Sequence, residues 1–549
     1  MKKWMPFFWL LLSMAMLADR SATPACAAEA PEKAEVVAVA CVASVDQLTE
    51  NLAYFTRASG RYDVGGSIHV RTKAFLDNLD RTKPAGILVT IADDEPRGIG
   101  FLPVPDLAKL LTNVRETFDV TVDELENGLC KLEVGKGTYL KQQGPWLFFS
   151  ENARHLSDLP ADPTALLDGL DRRYSVSFRL YVRHVPSNLR QLAIDKMQSD
   201  IDAQFVLDAT GDPAIDGEFL KALRAQLKQF VARVVNESEQ ITAGWAVDSQ
   251  RQHTYVDLEF KAVDGSQLAR ELDWLAGTQS SLTGFLVPEA AATVQGSVGL
   301  AQDDAGLPQA FSTFLRKKCM KGIDEDPRSP QALKDIVNAA LDVFDQTVRE
   351  GRVEGGAAVV LAPGTSAFVG GIRVADGESL AAAFQQLIEL AKNEPGVPEV
   401  RFHAENHRGI DLHTFSVPIP DSGNEVRKVL GDELAFVVGT GPKNLFLAFG
   451  GGSDGLLKRV IDKSVDTGEQ PVPPAQFRVA MKPLFKFLAS IDQDDRKLSL
   501  IAEAMESAQG NDGISLTVTA VDGGFRCRLL VEEGVLQALG SASRADKQR

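Results

Sequence analysis

One nine-residue segment recurs in this chain at long range. Residues Ala74 to Thr82 read AFLDNLDRT, and residues Ala339 to Thr347 read AALDVFDQT, identical at five of nine positions. A period this long rules out a solenoid of short repeats and points to a duplicated domain. The match continues downstream. Gly86–Ala92 aligns with Gly356–Ala362 at an offset of 270, which also pairs Gly100 with Gly370, Val104 with Val374 and Asp106 with Asp376. Gly144-Pro145 with Trp146–Phe149 resembles Gly441-Pro442 with Leu445–Leu447, and Phe178-Arg179-Leu180 resembles Phe477-Arg478-Val479. Any functional site is therefore either present in both copies or peculiar to one.

Each copy reads as amphipathic helices (near 46–58 and 70–81, then near 307–318 and 330–350), followed by two adjacent strands such as Gly86–Ala92 and Gly98–Val104. A helix starts after Asp106 or Asp376, and a hairpin ends in the aromatic strand Trp146–Ser150 or Leu445–Phe449. Helices after Pro186 and Pro483 lead to a closing hairpin. There Val256, Leu258 and Phe260 alternate with Asp257, Glu259 and Lys261. Phe525, Cys527 and Leu529 alternate likewise with Arg526 and Arg528. That alternation predicts an antiparallel sheet with the apolar phase buried and the charged phase wet. The expected class is α+β: two homologous halves, each a mainly antiparallel sheet packed with helices. The expected boundaries are a signal peptide at 1–28, a first unit at 29–285, a second at 286–540 and a flexible tail at 541–549. The Gly/Ser/Thr-rich stretch Gly277–Gly284 marks the junction.

Lys2 and Lys3 precede the apolar stretch Trp4–Leu17, and small residues follow at Ala25-Cys26-Ala27, the pattern of a secretory signal. The stretch is short for a membrane span, and no later run reaches spanning length. The mature protein is expected to be soluble, in the periplasm or outside the cell. The first 28 residues hold three cations and one anion, so their removal takes the net charge from −17 to −19. Such acidity argues against nucleic acid and anionic membrane surfaces as partners. Cys41, Cys130, Cys319 and Cys527 are scattered, with no paired spacing for a zinc ribbon or a redox motif. An exported chain permits disulfides among them.

Candidate chemistry is confined to the second copy. Gly450-Gly451-Gly452-Ser453-Asp454-Gly455 follows a strand and precedes a helix, with Glu469 beyond it, so it matches a dinucleotide fingerprint. The surrounding hairpins lack the parallel crossover that motif requires, and no cofactor is expected. The same glycines frame Ser453 as a nucleophile elbow. Every histidine precedes Ser453, so the usual order of the triad fails, and helix capping by Ser453 or Asp454 is the plainer reading. His403, Glu405 and His413 lie on a hairpin that turns near Asn406–Gly409, beside His407. Two imidazoles and a carboxylate are a set that can hold zinc, and a solvated strand face is the alternative. Asp106, Asp376 and Asp264 read as helix caps. Asp77, Asp80, Asp342 and Asp345 read as solvated helix faces, with calcium as a minor alternative.

The repeated strand pair, aspartate-started helix and aromatic strand resemble an uncharacterised family of exported bacterial proteins, over roughly residues 35–540. The resemblance implies a bacterial, exported protein and carries no catalytic residue onto this chain. The functional expectation is a non-enzymatic binding or scaffolding protein whose partner is a protein or an apolar small molecule. The alternatives are a carrier of lipid or another apolar ligand in the cleft between halves, and a hydrolase or metal enzyme using the second copy alone.

Overall fold

The computed structural model describes residues 35–60, 76, 78–92, 95–118, 121–133, 137–204, 213–299, 306–326, 329–362, 366–393, 397–419, 427, 429 and 432–547. The expected signal segment, most of the expected helix near 70–81 and Asp77 lie outside them. The chain begins with strand β1 (Val36–Val42), helix α1 (Val45–Ser59), β2 (Ala85–Ala92) and β3 (Glu95–Pro103). Helix α2 (Leu107–Phe118) leads to β4 (Val122–Glu124), β5 (Leu129–Leu132), β6 (Thr138–Gln143) and β7 (Trp146–Ser150). After short helical turns come β8 (Val176–Tyr181), α3 (Ser187–Gln204), α4 (Pro213–Glu237), β9 (Ser238–Asp248), β10 (His253–Ala262) and α5 (Gln267–Asp273).

A short strand β11 (Gln279–Ser280) precedes β12 (Ala292–Gly299), α6 (Gly306–Asp324), α7 (Gln331–Arg349), β13 (Arg352–Val360), β14 (Ala367–Arg373) and α8 (Gly377–Ala391). Next come β15 (Arg401–His407), β16 (Ile410–Pro418), β17 (Glu433–Gly441), β18 (Asn444–Gly450), α9 (Ser453–Thr467), β19 (Gln470–Pro471) and β20 (Ala475–Ala480). Helices α10 (Met481–Ile491) and α11 (Arg496–Ser507), strands β21 (Gly513–Val521) and β22 (Gly524–Glu532), and helix α12 (Glu533–Lys547) end the described chain.

Twenty of these strands form one sheet in which every pairing is antiparallel. From one edge its order is β4-β5-β6-β7-β3-β2-β1-β8-β9-β10, and β10 then pairs with β22. Beyond that seam the order is β22-β21-β20-β12-β13-β14-β18-β17-β16-β15. The ten strands on either side of the seam thus follow the same connections in the same spatial order. Register agrees as well: Gly86 faces Cys41 as Gly356 faces Gln295, and Phe178 faces Ala40 as Phe477 faces Val294. The molecule is a mixed α+β protein built on a large antiparallel sheet.

Several local expectations differ from the fold. The Gly277–Gly284 stretch is held by side-chain hydrogen bonds along its length. Glu354 accepts hydrogen bonds from Ser280 Oγ at 2.8 Å and from the amides of Ser281 and Leu282 at 2.6 and 3.0 Å. The Gly284 amide donates to Ser464 Oγ at 2.9 Å. The polar stretch after Ser541 is helical to Lys547, because α12 lies against α1 and Arg544 donates to the Ser59 carbonyl. Asp106 and Asp376 accept from the amides of Lys109 and Ser379, as helix caps do. Asp264 does not cap; Ser266 takes that place on α5.

The largest difference concerns the two closing hairpins, where the expected phase is reversed at the seam. Val256 and Leu258 are 45% and 40% exposed, whereas Asp257 is 1% exposed. Leu529 is 42% exposed. Only Phe260, near the strand end, is buried as expected. The rule that apolar residues face inward presumes that charges lack partners. Here β10 and β22 are neighbours, and the acids of one meet the bases of the other.

Candidate apolar binding site

Residues directly opposite on paired strands share a face of the sheet. From the seam into the first half, Val256 faces Trp245, which faces Val176, which faces Val42. Into the second half, Leu529 faces Leu516, then Phe477, then Val294, Ala357, Gly370 and Leu447. Val256 and Leu529 face each other and join the two runs. Parallel to this row runs another, through Ala40, Phe178, Ala243, Leu258, Cys527 and Val518. Along both rows the side chains are aliphatic, aromatic, cysteine or glycine. Val256, Leu258, Leu529, Leu516, Phe477 and Val294 are all at least 40% exposed. Together they form one contiguous, uncharged apolar patch, a feature that on a soluble protein is often functional.

Helices stand at both ends of the strands on this face. At one end Leu268, Ala269 and Leu272 of α5 and Val234 of α4 pack on Ile241, Phe260 and Phe525. At the other, Met505 of α11 and Val535 and Ala538 of α12 pack around Ile514 and Val531, with Phe55 of α1 against Trp245 at 5.7 Å between ring centroids. The open rows between them form the floor of a trough. Its most exposed residues lie on five adjacent strands, β10, β22, β21, β20 and β12, roughly 20 Å across at about 4.8 Å spacing, and the helices flank it beside β9, β10, β22 and β21. Helices about 10 Å across form its walls.

The charged phase of the same strands occupies the back face. Arg528 Nε and Nη2 donate to Asp257 Oδ1 and Oδ2 at 2.7 and 2.8 Å, a two-pronged pair across the seam. Arg526 donates to Glu259 at 2.8 Å, and Arg173 reaches the same carboxylate at 2.7 Å. Burial pushes the Glu259 carboxyl up, but Arg173 and Arg526 outweigh it and hold it below its ordinary range. The Arg528 guanidinium lies 4.0 Å from the Tyr255 ring centroid. Tyr174 donates to Asp257 at 3.0 Å, and burial followed by the Asp257 charge raises its hydroxyl to about 12. This ladder lets a charged row be covered, so the sheet can turn its apolar row outward.

The candidate chemical residues are placed otherwise. Ser453 is buried in the first turn of α9; Gly452, in the left-handed region at φ 73°, holds the cap position without a side-chain bond. Asp454 pairs with Lys458 at 3.0 Å rather than capping. The described histidine hydrogen bonds go elsewhere: His407 to Asp462, His413 to Thr440, His155 to Ser150 and His184 to the Val36 carbonyl. The hairpin of β15 and β16 turns through Arg408 and Gly409, both at positive φ. His403, at φ 49°, breaks the register, so it does not share a regular strand face with Glu405. The Glu405 carboxylate is held by Lys458 at 2.6 Å. His413 is buried; its Nδ1 accepts from the His403 amide at 3.2 Å, leaving Nε2–H for Thr440 at 3.0 Å. Burial, and then His403, lower its pKa. Among the described residues no group of three or more His, Cys, Asp or Glu is placed to hold a metal. Asp342 and Asp345 both accept from Arg316 of α6 and so join two helices; Asp342 faces solvent, as expected, and Asp345 is partly covered. The four cysteines are free thiols: Cys41 and Cys130 buried, Cys527 half-buried, Cys319 exposed.

The trough is the feature that residue-by-residue reading misses. Its signal is present in the sequence as complementarity: acids alternate in the first closing hairpin where bases alternate in the second. No protein-family model matches the chain, and no curated protein or solved structure is detectably similar to it. Among the described residues no helix is long and apolar enough to cross a membrane.

Proposed function

We propose that this is a non-enzymatic binding protein, exported by its N-terminal segment, whose ligand is apolar and lies on the outward apolar face of the central sheet. The observation that carries the reading is the uncharged exposed row through Val256 and Leu529, continuous across the seam and walled by helices. Burying such a surface against an apolar ligand releases about 25 cal/mol per Å². The reading includes an internal duplication, with units at 29–285 and 286–540. The common strand order and register on either side of the seam support it, as does the recurrence of apolar scaffold residues without a recurring polar constellation. The resemblance to exported bacterial proteins belongs to the same proposal. The hydrolase and metal readings lack support, because Ser453 has no imidazole partner among the described hydrogen bonds and Glu405 is engaged by Lys458.

The test is fluorescence of 1-anilinonaphthalene-8-sulfonate with the folded full-length protein. Enhancement is expected with the wild type and strong reduction with the double variant Leu258→Lys, Leu529→Lys. A folded wild type that gives no enhancement contradicts the proposal.

A further inference from the structure

The outermost strand pair carries three imidazoles that the apolar face does not use. Among the described strands β15 pairs with β16 alone, so it is an edge of the sheet. Its ladder is interrupted. Arg401 faces Thr414 and the next pair is Glu405 with Leu412, so four steps on β15 match two on β16. Phe402, His403 and Ala404 bulge out of register, and His403 takes the left-handed region at φ 49°. An imidazole takes the place of the missing ladder bond. The His403 amide donates to Nδ1 of His413 at 3.2 Å. The Phe402 ring lies edge-on to His413 and to Phe384 of α8, at 5.5 and 5.6 Å between centroids.

That fastening holds only while Nδ1 carries no proton. The proton of the neutral ring is on Nε2, which donates to Thr440 Oγ1 at 3.0 Å. A second proton would sit on Nδ1 and oppose the His403 N–H, donor against donor, on a side chain only 1% exposed. The new charge finds little help. His403 approaches from β15, with ring centroids 5.0 Å apart, and repels it when itself protonated. Asp411 of β16 is the nearby carboxylate, but it already accepts from Asn406 at 2.7 Å and lies 3.4 Å from His403 Nδ1. Thr440 of β17, Phe384 of α8 and Phe402 bring no charge. Burial, and then His403, hold the His413 pKa below its ordinary value against the pull of Asp411.

The turn end of the same strand answers acid in the opposite sense. His407 Nε2 lies 2.9 Å from Asp462 of α9, and its Nδ1 lies 3.8 Å from Glu405. Arg408 also meets Asp462, at 3.1 Å, and Asp466. Lys458 of α9 pairs with Glu405 at 2.6 Å and with Asp454 at 3.0 Å. A protonated His407 presents a donor to each of its two carboxylates, so this latch tightens where the His413 pin loosens.

We propose that the edge strand is an acid-released flap: protonation of His413 frees Arg401–Ala404 from β16 and uncovers Phe402 and Phe384, while the His407–Asp462 latch keeps the turn on α9. The closed form persists at neutral pH, because the freed imidazole binds a proton more tightly than the pinned one. Release therefore grows as pH falls below about 6.5, the ordinary imidazole value, by at most about tenfold per unit.

The test is amide hydrogen exchange of the full-length protein, read by mass spectrometry and corrected for the intrinsic rate, at about pH 7.5 and about pH 5.5. Residues 401–404 should lose protection severalfold in acid, while 405–409 and the β21–β22 hairpin keep theirs. His413→Gln, whose amide oxygen still accepts from the His403 amide but takes no proton, should abolish the pH dependence. His407→Gln should extend the acid loss of protection to 405–409. Equal protection of 401–404 at both pH values overturns the flap, as does a loss that survives in His413→Gln. Loss in every peptide together reports global unfolding and also overturns it. Unchanged protection of 405–409 in His407→Gln overturns the latch. The wild-type profile decides the flap even if His413→Gln does not fold.

Discussion

At the scale of single residues, the sheet is set by close approaches. Tyr174 covers Gly244, where an added Cβ would meet its ring at 2.3 Å, and Phe285 covers Gly356, where the ring would be met at 2.5 Å. Both rings pack on the back face, and neither can retreat without exposing a buried aromatic. Gly244→Ala and Gly356→Ala are each expected to cost about 1–3 kcal/mol, read from urea midpoints. His413 supplies a pH signature. Its pKa is lowered in the folded state, so the unfolded chain binds the proton more tightly near pH 6. Its stabilisation is complete above the unfolded value of about 6.5 and is lost as pH falls below it. Urea midpoints should therefore decline from about pH 6.5 downward in the wild type and flatten in His413→Gln. An unchanged slope in the variant would show that another group titrates.

At the scale of elements, much was legible in the sequence and one thing was not. The capping aspartates at 106 and 376, and the glycines ahead of the aromatic strands, located helices and hairpins because those signals are local. The phase of β10 and β22 was not legible from either strand alone. Val256–Phe260 reads as apolar-in when charges are presumed to seek water. It reverses because Asp257 and Glu259 find Arg528 and Arg526 some 270 residues away. A local pattern cannot decide which face is covered when its partner strand lies in the other half. Ser453 and the His403–His413 hairpin misled for a similar reason, since spacing alone says nothing about Lys458 or Thr440 taking the polar atoms. The seam predicts a measurable coupling. Asp257 is buried and Arg528 is partly exposed, so solvent screens the pair. A double-mutant cycle with Asp257→Asn and Arg528→Gln should give a coupling of about 1–3 kcal/mol by chemical denaturation. Additive effects would mean that backbone pairing alone holds the seam.

At the scale of the molecule, the two halves are interlocked. Strands β10 and β22 pair across the seam, α12 packs on α1, and β11 pairs with β19. Phe219 of α4 stacks on Phe314 of α6 at 4.6 Å between centroids. Residues 29–276 expressed alone would lose Arg528 from Asp257 and Arg526 from Glu259, leaving Tyr174 and Arg173 as their partners, and would uncover Phe219. Each half is expected to aggregate or stay unfolded on its own, and the two to regain the native circular dichroism spectrum when co-expressed. Independent folding of either half would contradict an interlocked core. The same arrangement makes the trough one surface instead of two, because its middle is the seam. Native mass spectrometry of the full-length protein, purified without detergent or organic solvent, tests that claim most directly. Extra mass that is released by organic extraction, and is absent from the Leu258→Lys, Leu529→Lys variant, is the predicted result. A bare chain mass from cells in both wild type and variant would contradict it.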